Sequence, residues 1–139
     1  MKYVSTRDAG RAYSAPETIV KGIADDGGLF VPSSFPTIDK EFLASLSEMT
    51  YPERVAKVLH LFMDEFAEKE LLSFAEKAYS RFDGDPCPVV KIEDGLYVLE
   101  LWHGPTFAFK DMALTLLPYL MVESKKKLGV DETTLVLVA

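Results

Sequence analysis

Lys110 follows Phe107, Ala108 and Phe109 and precedes Asp111, at the start of a stretch whose apolar spacing predicts a helix. A lysine is poorly placed there on stability grounds, because a helix N-terminus repels cations. Desolvation by the neighbouring aromatic rings disfavours the ammonium further. Both influences favour the neutral amine, the form of lysine that attacks a carbonyl to make a Schiff base. The competing reading is structural: a long side chain lying on an apolar face with its head in water. Thr106 lies four positions earlier in a turn, where its hydroxyl can cap locally or meet a ligand. His103 precedes the Gly104-Pro105 pair and reads as a loop histidine or a substrate contact. Asp111 is an acid in the first helical turn, favourable to the dipole.

Elsewhere the chemistry-bearing residues are sparse. Only two histidines, His60 and His103, are present, without the spacing of a zinc helix. Cys87 is the one cysteine, so an internal disulfide is excluded and a reducing compartment is favoured. It has no base partner in view. Gly27-Gly28 reads as a turn rather than a phosphate loop. Glu65, Glu68 and Glu70 read as a solvated helix face, and His60 as a partly buried, satisfied histidine.

The elements that must hold the Lys110 stretch follow from local signals. A short strand is predicted at 2–6, then a helix opened by Ser14-Ala-Pro-Glu17, which has capping-box spacing and a proline in the first turn. Asp25-Asp-Gly-Gly28 ends that helix, and an extended piece follows at 29–32. Asp39 caps a second helix bearing Phe42, Leu43 and Leu46. Thr50-Tyr-Pro-Glu53 opens a third, and a fourth runs over 68–81 with Leu71, Leu72, Ala75, Ala78 and Tyr79 inward. Phe82-Asp-Gly-Asp-Pro86 breaks the pattern. The expected division is a mostly helical module over 1–83 and the start of an α/β domain over 84–139. Beyond the break, 88–92 and 96–101 predict a β-hairpin around Glu93-Asp-Gly95. A long helix is predicted over 109–128, kinked at Pro118, with Gly129 closing it after three lysines. The run 134–138 has the composition of a buried parallel strand, expected beside 96–101. Such a strand needs neighbours and covering helices, so the chain is expected to be the front portion of a longer α/β protein.

Bulk properties narrow the setting. The 139 residues are 48% hydrophobic and carry a net charge of −7. An acidic chain is a poor match for nucleic acid or an anionic membrane. The most apolar stretch, 113–122, is far short of the ~20 residues of a spanning helix. A soluble, cytoplasmic setting is expected.

The string His103-Gly-Pro-Thr-x-x-Phe-Lys110-Asp111 resembles the active-site lysine motif of the threonine synthase family, within the fold-type II (tryptophan synthase β-like) pyridoxal-phosphate enzymes. Tyr3-Val-Ser-Thr-Arg7 and Gly22-Ile-Ala-Asp-Asp-Gly-Gly-Leu-Phe-Val-Pro32 resemble that family's amino-terminal extension, with Asp8 standing where related chains often carry glycine. The resemblance implies a lyase whose parallel-sheet coenzyme domain begins here, with Lys110 holding pyridoxal 5'-phosphate as a Schiff base and later moving protons. The implied substrate is O-phospho-L-homoserine, converted with water to L-threonine and phosphate. It also implies that the glycine-rich loop for the coenzyme phosphate belongs to the remainder of a parent chain, without which these residues would be inactive. Two alternatives remain: another fold-type II enzyme, such as a serine/threonine dehydratase, and a non-catalytic threonine-synthase-like binding protein.

Overall fold

Three helices begin where polar side chains take up free backbone N–H groups. A computed structural model describes residues 1–136. After strand β1 (Tyr3–Ser5), helix α1 (Ala15–Lys21) starts at Ser14. The Ser14 N–H donates to Glu17 Oε2 at 2.6 Å, while the Glu17 N–H returns to Ser14 Oγ at 3.4 Å. Strand β2 (Phe30–Pro32) pairs antiparallel with β1, Val4 opposite Val31. Helix α2 (Lys40–Ser47) is capped by Asp39, whose Oδ1 accepts from the Phe42 N–H at 2.7 Å. Helix α3 (Tyr51–Phe62) uses the box between Thr50 and Glu53, with a 2.7 Å bond from the Thr50 N–H to Glu53 Oε2. These bonds satisfy donors that every helix start leaves open.

Helix α4 (Glu68–Tyr79) packs against α3, and later α6 (Leu117–Leu128) packs against α1. Their meeting surfaces form one core, centred on Phe66, Leu71, Ala75 and Ala78, all fully buried. The small side chains at Ala56, Ala75 and Ala78 let the helix backbones approach closely. Leu116 and Leu120 enter the same cluster, and Tyr119 stacks on Phe74 with ring centroids 6.0 Å apart. The core therefore draws on residues from both sides of the break at 82–86.

Between them, β3 (Val89–Glu93) and β4 (Leu96–Leu99) form an antiparallel hairpin with Val90 opposite Val98. The hairpin stands largely in solvent, with Val89, Ile92 and Leu99 exposed. Among the described residues no helix is long and apolar enough to cross a membrane.

Several expectations differ from the structure. The helix predicted over 109–128 is two: α5 (Asp111–Leu114) and α6, separated at Thr115 and Leu116. Pro118 sits in the first turn of α6, where its missing N–H does no harm, so it starts a helix rather than kinking one. The parallel strand over 134–138 is not formed over its described part, 134–136, while Leu137 and Val138 lie outside the described residues. Both sheets among the described residues are two-stranded and antiparallel, so the parallel sheet of the expected fold class is absent from them. Glu65 and Glu70 are not merely solvated: Glu65 Oε1 accepts from the Ala15 N–H at 3.3 Å and Glu70 Oε2 from the Ala67 N–H at 2.8 Å.

Candidate active site

The loop that carries Lys110 is anchored at both ends. At its entry, the Asp83 N–H donates to the His103 carbonyl at 3.1 Å. His103 Nε2 donates to Glu100 Oε2 at 2.7 Å and its ring stacks on Trp102. A turn follows, with Pro105 in its second position and the Phe107 N–H on the Gly104 carbonyl at 3.1 Å. At its exit, the Tyr79 hydroxyl donates to the Met112 carbonyl at 2.8 Å. Burial pushes the Tyr79 hydroxyl above its ordinary value, so it stays protonated and remains a donor.

Within the loop, Asp111 does more than complement a helix end. Only 6% exposed, it accepts the Thr106 N–H on Oδ2 at 2.7 Å and the Thr106 hydroxyl on Oδ1 at 2.8 Å. Gly104 lies against the same carboxylate: a Cβ there would stand 2.5 Å from Asp111 Cβ and Oδ2. The sequence pattern points only to a dipole role for Asp111. The available signal was a threonine five residues before an aspartate with glycine just ahead, a spacing that permits side-chain closure of a loop.

Lys110 is the residue before α5, and its side chain is exposed. Among the described residues it pairs with no carboxylate, as is also true of Lys2, Lys40, Lys69, Lys77 and Lys125, whereas Lys21, Lys57, Lys91, Lys126 and Lys127 each do. Two features of its surroundings differ from what the sequence suggests. Helix α5 has four residues, so its dipole is that of a single turn, and Phe107 and Phe109 are themselves exposed rather than packed into a desolvating wall. What the arrangement offers is an unpaired primary amine on a fixed loop, able to bond covalently to an aldehyde. Lys110, Thr106 and His103 are brought into one loop, although Thr106 and His103 are held by Asp111 and Glu100. His60 lies apart, its Nδ1 donating to the Phe66 carbonyl at 3.0 Å. No cluster of three or more His, Cys, Asp or Glu among the described residues is set to hold a metal ion.

The model of the threonine synthase N terminus matches residues 2–79. Threonine synthase of Schizosaccharomyces pombe is 38% identical over 120 residues, covering 84% of this chain and 23% of that protein. Threonine synthase-like 2 of Xenopus laevis is 35% identical over 133 residues, covering 91% of this chain and 28% of that protein. A crystal structure of PLP-bound threonine synthase from Brucella melitensis superposes with a TM-score of 0.86 at 36% identity, covering 93% of this chain and 28% of that one. The chain thus spans about a quarter of the length of these relatives. With the N-terminal family model lying over more than half of its residues, the chain belongs to the threonine synthase family.

Proposed function

We propose that the gene product carrying this chain is a threonine synthase, converting O-phospho-L-homoserine and water to L-threonine and phosphate. The observation that carries the reading is the order along the chain: the family's N-terminal match over 2–79 is followed, past the β3–β4 hairpin, by a loop that presents Lys110 in the His-Gly-Pro-Thr-x-x-Phe-Lys-Asp string. Pyridoxal 5'-phosphate, when bound, supplies an electron sink for negative charge developing on the substrate carbons. Lys110 Nζ would hold it and would carry protons to and from the substrate carbon chain. The residue fits the group, because Lys110 presents a primary amine on an exposed side chain. Thr106 and His103, on the same loop, would lie near the coenzyme or substrate.

On this reading, residues 1–83 are the amino-terminal module and 84–139 begin the parallel-sheet fold-type II coenzyme domain. The remainder of the parent chain supplies the phosphate-binding loop, and the setting is the cytoplasm. Borohydride reduction of the coenzyme-loaded gene product, followed by peptide mapping, is expected to label Lys110. Lys110→Ala should abolish that label and lower phosphate release by about 10²–10⁴-fold or more. A label confined to another lysine would overturn the assignment.

A second reading is a threonine-synthase-like protein without this turnover. It is favoured by relatives of that name, such as the human protein at 37% identity, lying as near as those named threonine synthase. Lys110 labelling without phosphate release from O-phospho-L-homoserine would select it.

A further inference from the structure

The carboxylate of Asp111 is buried, although an acid that served only the α5 dipole would be most stable in water. Both of its oxygens are taken by one residue, Thr106, through the backbone N–H and the hydroxyl. Hydrogen bonds to a charged acceptor are the strong ones, and two that converge on a single residue fix it in position and orientation. The carboxylate also fills the space against Gly104, so the two ends of the loop meet with no room for a side chain.

The segment so closed is strained. Phe107 has φ 59°, a conformation that bulky residues rarely adopt. Its side chain is 80% exposed, so packing does not hold it there. The conformation is held instead from either side, by the Phe107 N–H on the Gly104 carbonyl and by Thr106 on Asp111. Lys110 comes three residues later, and its own carbonyl accepts from the Leu114 N–H at 2.9 Å. The backbone at Lys110 is therefore fixed from two sides, while its amine is left free.

We propose that Asp111 is a positioning residue: by clamping Thr106 it closes the strained 104–110 loop and sets the place from which Lys110 reacts. The clamp is a property of this chain alone. Its consequence for coenzyme attachment rests on the functional reading above.

The test uses the gene product and two readouts. The first is hydrogen exchange at the Thr106 amide without coenzyme. The second is the rate at which pyridoxal phosphate with cyanoborohydride labels Lys110, relative to Lys125 in the same molecule. Asp111→Asn replaces a charged acceptor with an amide that sets its own donor against those of Thr106. It should speed Thr106 exchange, and slow relative Lys110 labelling, by about tenfold or more in each case. Amides of α3 and α4 should keep their protection. Thr106→Ser retains both donors to Asp111, so exchange at that amide should stay as slow as in the unsubstituted protein. Thr106→Val retains only the N–H and should fall between. Labelling of Lys110 that is indifferent to Asp111→Asn would overturn the proposal. Should that variant also lose protection in α3 and α4, Thr106→Val decides, and unchanged Lys110 labelling there overturns it equally. Failure of the unsubstituted protein to label at Lys110 would overturn the functional reading, and Thr106 exchange would then decide the clamp by itself.

Discussion

The Tyr51 hydroxyl is pushed above its ordinary value of 10.0, first by burial and then by its neighbours Tyr79 and Cys87. Tyr79 is shifted the same way, and the two rings meet edge-on with centroids 4.9 Å apart. A hydroxyl raised in the folded state leaves stability untouched while the unfolded chain is also protonated. It lowers stability as pH rises above the unfolded value of 10.0 toward the folded one. Tyr51→Phe removes one of these ionisations, so its alkaline unfolding midpoint, followed by circular dichroism, is expected to move to higher pH. An unchanged midpoint would show that these rings do not govern the alkaline limit. The same environment keeps Tyr79 a reliable donor to Met112, which connects tyrosine burial in α4 to the position of the Lys110 loop.

At the scale of elements, the helix starts carry their own pH dependence. Glu17 is held below its ordinary 4.5, first by the Ser14 N–H and then by the Ser14 hydroxyl. A depressed carboxylate contributes stability that is fully present above that ordinary value and lost as pH falls through the folded one. Glu17→Gln should therefore flatten the acid limb of the stability profile below its ordinary value. Ser14→Ala should cost about 1 kcal/mol at neutral pH in denaturant unfolding. These starts were legible in the sequence, as was the hairpin turn at Asp94-Gly95, because each needs only three or four neighbouring residues. The split of the predicted 109–128 helix was not. Pro118 reads alike as a kink within one helix or the first turn of another, and the choice depends on Leu116 and Leu120 entering the core. The Lys110 motif was visible as a string, but the Asp111 clamp depends on how the loop closes in space. The exposure of Phe107 and Phe109 likewise follows from that closure and not from their types.

For the molecule as a whole, the shared core makes a cooperative claim. Phe66 is fully buried in the cluster that also takes Ala15 of α1, Ala56 of α3 and Leu120 of α6. Phe66→Ala should destabilise by about 3–5 kcal/mol. Hydrogen exchange in denaturant should show α3, α4 and α6 losing protection together, whereas separate midpoints would mean that the two sides of the 82–86 break unfold independently. The hairpin behaves differently, because it leaves this body and returns to it through fixed points. The Asp83 N–H meets the His103 carbonyl beyond both strands, and the Glu100 N–H meets the Pro88 carbonyl at their base. Length can therefore be added or removed at the Asp94-Gly95 tip without displacing Lys110. Among descendants of one ancestral sequence, insertions and deletions should accumulate at that tip, while the distance along the chain from His103 to Asp111 stays constant.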